Sequence, residues 1–314
     1  MPQRISTPDS SSSSVGENEN AVKGRPLVVG EVLFDVMPDG ARVLGGAPFN
    51  VAWHLQAFGL RPLMITRVGT DDAGDEVLTA MKAWGMDTAG VQRDEIHPTG
   101  HVQVDFVDGE PSFHILPDQA YDHLDHRQAI RMLAGERMSL LYHGSLISRV
   151  EVSQRAVEGL KDVSGLPVFV DVNLRKPWWK KEEVVESIRR ARWAKVNENE
   201  LGLLAGSSDS ATAEGFRVAC ELEALIVTRG GHGAVVIDAD GIHDAAPPSD
   251  VHVIDTVGAG DGFCAVFILG LARGWPTGLT LKRALEFAAV MCGVPGATTA
   301  DRELYSRFQN HGWW

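Results

Sequence analysis

Hydrophobic periodicity starts late in this chain. Residues 1 to 24 are polar, with serines running from Ser10 to Ser14. Such a stretch has too little apolar surface to order itself, so we place it outside the fold as a disordered tail. Pro26-Leu27-Val28-Val29-Gly30 is then a continuous apolar run of the kind a buried strand needs, and Glu31 to Met37 extends it to the turn Pro38-Asp39-Gly40. Val51, Ala52, Leu55 and Phe58 recur at helical spacing; Pro48 suits the first turn of that helix and Gly59 its stop. A strand over Leu63 to Val68, a helix over Gly74 to Trp84 and an extended piece from Val91 continue the alternation, which predicts a parallel sheet.

The period changes between His97 and Leu116. His101 to Val107 alternates with period two, Asp108-Gly109 reads as a hairpin turn, and Ser112 to Leu116 returns. An antiparallel ribbon interrupting an α/β chain is the usual material of a lid over a site, and about 34–45 together with 97–120 are its expected parts. From Arg127 the α/β order resumes: helix to Leu133, strand Leu140 to Tyr142, helix Glu151 to Lys161, strand Pro167 to Val170, helix Glu182 to Arg192 and strand Trp193 to Val196. A helix opened by Leu201 follows, then strands over Leu225 to Thr228 and Ala234 to Ile237, an apolar helix after Asp261, another over Leu281 to Cys292, and one around Glu303. Trp178-Trp179 is expected to pack against a helix, and Trp313-Trp314 looks exposed.

Composition narrows the class. The 314 residues are 44% hydrophobic and 23% charged, ordinary for a globular chain with one large α/β domain. A formal net charge of -13 argues against partners that want basic patches, nucleic acid and anionic membrane alike. No stretch approaches the roughly 18–20 apolar residues of a membrane span. The three cysteines, Cys220, Cys264 and Cys292, form no Cys-x-x-Cys pair and read as buried small hydrophobes, so a cytoplasmic location is expected.

Candidate chemistry sits at the element boundaries. Asp255-Thr256-Val257-Gly258-Ala259-Gly260-Asp261 runs straight into a helix. Its glycines let a ligand approach the backbone, and the free N–H groups of a helix start attract phosphate. Asp261 lies where the helix dipole stabilises a carboxylate, within reach of an incoming hydroxyl proton. Capping and turning are the plain alternatives for these residues. Gly45-Gly46-Ala47-Pro48-Phe49-Asn50 allows the same close approach, and Asn50 carries the donor and acceptor that a sugar hydroxyl requires. Asp35 lies at the polar end of the first strand. Asp171-Val172-Asn173-Leu174-Arg175 follows a strand's carboxyl end, where open parallel sheets bind ligands, and Arg175 suits a phosphate or a substrate oxygen. Asn197 and Glu200 are three apart on one helical face, and Glu200 suits a water-mediated Mg²⁺ contact. Thr228-Arg229-Gly230-Gly231-His232-Gly233 suits a nucleotide or a plain hairpin.

Gly45-Gly46-Ala47-Pro48-x-Asn50-Val51-Ala52 and the Asp255–Asp261 stretch resemble the two signatures of PfkB-type, ribokinase-like sugar kinases. Asp171-x-Asn173-x-Arg175, Asn197-x-x-Glu200 and Thr228-x-Gly230-x-x-Gly233 fall between them in the family's order. Gly30-Glu31-x-Leu33-x-Asp35-x-x-Pro38 looks most like the fructokinase branch. The resemblance covers nearly everything after residue 25. It implies a three-layer α/β/α domain over 25–314, with a mostly parallel central sheet and a small β-sheet lid. By resemblance, Asp261 is the base, with Gly258, Ala259 and Gly260 as anion hole. Asp35, Gly45, Gly46 and Asn50 hold the sugar, and Arg175 faces the substrate or the γ-phosphate. Asn197, Thr228, Gly230 and Gly233 serve ATP, Glu200 serves Mg²⁺ and Asp255 a K⁺ site.

The expected activity is ATP-dependent phosphorylation of a ketohexose, fructose first, by a homodimer built through the lid. A 2-keto-3-deoxygluconate kinase is the runner-up, disfavoured because residues 98 to 120 contain no Arg or Lys to meet a carboxylate. A sugar-binding protein without catalysis conflicts with Asp261 and its glycines. A Rossmann dehydrogenase conflicts with Gly30-Glu31-Val32, which is not Gly-x-Gly-x-x-Gly, and the Gly-rich loop is no Walker A because no Gly-Lys-Ser/Thr follows it.

Overall fold

In the computed structural model, residues 21–107 and 110–313 are described. The first half of the chain supplies β1 (Arg25–Val29), β2 (Leu33–Val36), β3 (Arg42–Gly45), β4 (Leu63–Gly69), β5 (Val91–Asp94), β6 (Gly100–Val107) and β7 (Glu110–Ile115). The second half adds β8 (Met138–Gly144), β9 (Val168–Asp171), β10 (Trp193–Asn197), β11 (Ala224–Thr228), β12 (Ala234–Asp238) and β13 (Gly241–Ala245). The helices are α1 (Ala47–Ala57), α2 (Asp72–Trp84), α3 (His126–Arg131), α4 (Glu151–Ser164), α5 (Lys181–Arg189), α6 (Glu198–Ala205), α7 (Ser210–Ala219), α8 (Ala259–Arg273), α9 (Thr277–Met291) and α10 (Arg302–Asn310).

The central sheet has nine strands in the order β13-β12-β11-β10-β9-β8-β1-β4-β5. It is parallel from β11 through β5, and β12 and β13 join antiparallel at one edge. Because side chains alternate across a strand, each strand feeds both helical layers. Val28, Met64, Tyr142, Phe169 and Ile226 face the layer of α1, α2, α8, α9 and α10. Leu27, Val29, Ile65, Leu141, Val170 and Leu225 face the layer of α3 to α7. Burial on both faces is why these strands read as unbroken apolar runs. α8 is apolar all round and buried from Gly262 to Gly270, so it lies inside its layer.

The apolar run Pro26 to Met37 is not one strand. β1 ends at Val29, and after Gly30 to Val32 the chain enters a second sheet as β2. That second sheet has the order β3-β2-β6-β7. It is mixed: β2 pairs parallel with β6, while β3 and β7 run antiparallel to their neighbours. Period-two patterning cannot distinguish these partners, because it reports faces and not neighbours.

Other departures are local. Val22, counted with the tail, donates its N–H to Leu271 O at 3.2 Å and packs on the core. Trp313, expected exposed, is buried against Phe308 and Trp275. Cys292 is only half-buried, whereas Cys220 and Cys264 are buried as expected. α7 and β13 have no counterpart in the periodicity; β13 is a half-exposed edge strand with little apolar signal. The serine run, the Asp108-Gly109 turn and Trp314 lie outside the described residues.

Candidate active site

Two helix starts meet above the carboxyl ends of β1, β8, β9 and β10. Strand order reverses between β1 and β8, the place where open α/β sheets form a ligand crevice. Gly46 caps α1 at φ 106°, and a Cβ there would come within 2.8 Å of Glu31 O. Gly258 caps α8 at φ 78°, and a Cβ there would meet Ala297 Cα at 2.4 Å. Only glycine fits both positions. No side chain caps the start of α8, whose Ala259 N reaches Thr256 O only at 3.4 Å, and Gly258, Gly260 and Asp261 line the crevice.

Asp261, in the first turn of α8, accepts a hydrogen bond from Asn50 Nδ2 at 2.8 Å. This bond joins the two glycine motifs across 211 residues of chain. The Oδ1 atom of Asn50 is buried and unpartnered among the described residues, an acceptor held ready for a donor from outside. Burial raises the Asp261 carboxyl to about 7; the Asn50 bond acts against that rise and Asp171 adds to it. The expectation that the helix dipole would favour the charged form is therefore outweighed by desolvation. Asp35, in β2, is raised to about 6 by burial, against the opposing pull of Arg175.

Asp171 ends β9 as a buried node. Its Oδ1 accepts from Lys195 Nζ at 2.7 Å, and its Oδ2 accepts from Tyr142 Oη at 3.0 Å and Cys264 Sγ at 3.2 Å. Burial opposes the charge on Lys195, yet Asp171 overcomes it and moves the ammonium pKa above the usual lysine value.

Asn197 and Glu200 form a capping box at the start of α6. Glu200 Oε2 accepts from Asn197 N at 2.8 Å and Oε1 from Leu174 N at 3.0 Å. The carboxylate thus has a structural task besides any ligand it meets. Asp255 stands apart, its Oδ1 accepting from Val257 N at 3.0 Å and its Oδ2 from Gly296 N at 3.1 Å. It ties the loop before α8 to the loop after α9.

These residues border two joined cavities. A polar one of about 480 Å³ is lined by Asp35, Gly46, Asn50 and Arg175 on one side and by Asn197, Glu200 and Thr228 on the other, with Gly258, Gly260 and Asp261 between. Leu33, Val102, Phe113 and Ile115 of the small sheet wall it. A more apolar one of about 500 Å³ is lined by Thr228, Gly230, Gly233, Ala259, Val251, Phe263, Leu285 and Cys292. Thr228, Thr256 and Gly260 border both. Gly45 and Asp255 line neither cavity, although a Cβ at Gly45 would lie 3.8 Å from Asn50 Oδ1 and Asp35 Oδ2.

Sequence reasoning missed Lys195 and Glu31. Lys195 is a charge inside an otherwise apolar strand, a readable signal. Glu31 is 3% exposed and lines the polar cavity; its Oε2 has no partner among the described residues, and burial raises the carboxyl to about 7. The apolar wall of the second cavity comes from scattered positions in the last third and carries no motif.

Comparison with known proteins agrees with this arrangement. A "Putative sugar kinase" of Pyrococcus horikoshii is 27% identical over 88% of this chain and 91% of its own. A fructokinase of Salmonella typhimurium is 30% identical over 90% of this chain and 98% of its own. The crystal structure of a Vibrio cholerae fructokinase double mutant, with fructose, ADP and potassium ion bound, superposes with a TM-score of 0.77 at 24% identity, covering 90% of this chain and 97% of that one. The profile of the pfkB family carbohydrate kinases matches residues 27–303. With both glycine motifs converging on Asp261 and the match running through the whole fold, this chain belongs to the pfkB family and is a phosphotransferase acting on a sugar hydroxyl.

Proposed function

We propose that the protein transfers the γ-phosphoryl group of ATP to a primary hydroxyl of a ketohexose, fructose in the first instance. The observation that carries this is the place of Asp261, in the polar cavity, hydrogen-bonded to Asn50 and next to Gly260, which borders the polar and the apolar cavity alike. The sugar occupies the polar cavity, its hydroxyls met by Asp35, the Gly45-Gly46 backbone and Asn50. The orphaned Asn50 Oδ1 accepts a hydrogen bond from one sugar hydroxyl. The base ring lies against Val251, Phe263 and Leu285, and Gly230, Gly233, Thr228 and Asn197 hold ribose and phosphates. Asp261 takes the proton of the attacking hydroxyl. The N–H groups of Gly258, Ala259 and Gly260 stabilise charge on the transferring group, which is where preorganised dipoles matter most.

The residues present fit a divalent ion at one remove. Both Glu200 oxygens already accept backbone N–H groups, which suits an ion that keeps its water. When bound, Mg²⁺ would neutralise charge between the β- and γ-phosphates. Asp255 joins the two loops that would enclose a K⁺ ion, and the Vibrio structure with potassium bound supports that reading. The small sheet acts as the lid. Its edge strands β3 and β7 expose Val43 and Phe113, 40% and 44% accessible, and support a homodimer formed through it.

A sugar acid such as 2-keto-3-deoxygluconate is less well served. The small sheet meets the cavity with Val102, Phe113 and Ile115, and Lys195 is already paired with Asp171, which leaves Arg175 for a carboxylate. The deciding experiment is ADP release with Mg-ATP across fructose, ribose, ketodeoxygluconate and nucleosides, in K⁺ and in Na⁺. Fructose is expected to give the highest kcat/KM. A higher value for another acceptor replaces the substrate, and no turnover of any of them leaves the sugar-binding reading.

A further inference from the structure

At the root of the β6–β7 ribbon, among residues that line neither cavity, three side chains converge that the kinase chemistry does not use. His97 lies just before β6, Asp118 just after β7, and His123 in the short 3₁₀ turn Ala120–His123. One ligand atom from each lies within 4.8 Å of the others. His123 Nε2 is 2.8 Å and His97 Nε2 3.6 Å from Asp118 Oδ1, and the two imidazoles stack with centroids 3.6 Å apart.

Hydrogen bonding sets the tautomer of His97. Asp94 accepts from Ile96 N and His97 N through Oδ1, and its Oδ2 faces Arg67 Nε at 2.8 Å and His97 Nδ1 at 3.0 Å. Nδ1 of His97 therefore carries the proton, and neutral His97 turns a bare Nε2 lone pair toward a carboxylate oxygen. Two acceptors facing each other at 3.6 Å call for a cation between them. A carboxylate bonded to the outer nitrogen of a histidine is also the arrangement that orients histidine ligands in metal sites.

We propose that His97, Asp118 and His123 bind one divalent transition-metal ion, Zn²⁺ in the first instance, through two imidazole Nε2 atoms and one carboxylate oxygen, with water completing the shell. Tetrahedral Zn²⁺ with bonds of about 2.0–2.1 Å places its ligand atoms about 3.3 Å apart, between the two separations to Asp118 Oδ1. A small turn of the stacked rings brings the nitrogens to it. Arg67 is nearby, but its charge is engaged by Asp94. The ion would join both ends of the β6–β7 ribbon to the body of the domain, which makes it a clip at the root of the small sheet.

The test uses the full chain stripped with EDTA and titrated with Zn²⁺ by calorimetry and with Co²⁺ by visible absorption. The expected result is saturable binding of one equivalent, a tetrahedral Co²⁺ spectrum, a zinc-dependent rise in Tm, and slower amide exchange in β6 and β7. His97→Gln and His123→Gln should each weaken binding at least tenfold. Asp118→Asn should weaken it too while keeping the fold, because Asp118 is exposed and sits at φ 59°, a conformation that asparagine also tolerates. Zinc binding that survives all three substitutions, or none in the parent protein, overturns the proposal. So does a site that only takes up a proton, seen as an acid-dependent change unaffected by metal.

Discussion

At the scale of the residue, the site is a set of carboxylates held where burial works against their charge. Asp261 is raised to about 7 from an ordinary value of 3.8, so its ionisation should govern activity near neutrality. As a general base it must be deprotonated: kcat/KM is expected to climb about tenfold per pH unit below 7 and level off above it. A flat profile between pH 5.5 and 8 would remove Asp261 from that role. Stability runs the other way. A folded-state pKa above the unfolded one means the native state binds the extra proton, so this contribution is complete below pH 4 and is lost as pH rises through about 7. Asp261→Asn should therefore melt about 2 °C higher than the parent at pH 8 and no higher at pH 4, in thermal scans without ligand. The same variant should lose about 10² to 10⁴ in kcat while titrating with sugar almost as the parent does. Comparable kcat values for the two would dismiss the assignment. Lys195 is argued differently, because its charge is spent on a neighbour. Lys195→Met leaves Asp171 charged and unpaired among Tyr142, Cys264 and Val170, and should cost about 3–5 kcal/mol in urea unfolding. A cost below 1 kcal/mol would mean that Asp171 simply takes up a proton.

At the scale of the element, the decisive features are helix starts. α8 begins with a glycine and no side-chain cap, an arrangement that leaves its N–H groups for a ligand, whereas α6 closes its own start with the Asn197–Glu200 box. These two solutions were partly legible. The glycines of the α8 motif announced a bare start, and Asn-x-x-Glu before an apolar run is a capping signature as much as a magnesium one. Its spacing could not say that Glu200 also reaches Leu174 N, since that contact depends on how β9 and β10 lie side by side. Gly258→Ala tests the bare start. It combines a disfavoured backbone conformation with a Cβ only 2.4 Å from Ala297 Cα, and should destabilise the fold by about 2 kcal/mol or more while lowering kcat. Unchanged melting and turnover would show that the loop after α9 moves aside freely.

At the scale of the whole molecule, the nine-stranded sheet is a platform, and the separate four-stranded sheet is the proposed lid. The platform is buried on both faces by two helical layers. The small sheet has one face over the polar cavity and open edges at β3 and β7. Segments with few buried contacts open most easily, so ligand should be felt there first. Binding of fructose with a non-hydrolysable ATP analogue is expected to slow amide exchange in β2 and β6 while leaving β9 and β10 unchanged. Equal protection in both sheets would argue for a rigid site. Topology also explains what was unreadable. β2 and β6 are parallel neighbours from distant parts of the chain, and the strand run from Pro26 to Met37 divides between two sheets because Gly30 to Val32 turns where the platform ends.

By itself the sequence determined the α/β alternation, the unbroken strands buried on both faces, and the two glycine motifs with their acids and Asn50, because periodicity and backbone freedom are local properties. Only the tertiary structure decided that Asn50 bonds Asp261, that Lys195 answers Asp171 in the wall of the polar cavity, that Glu31 Oε2 is buried without a partner among the described residues, and that His97, Asp118 and His123 share one corner. Those facts depend on which strand lies beside which, and on the desolvation that follows. Neither is written at any single position of the chain.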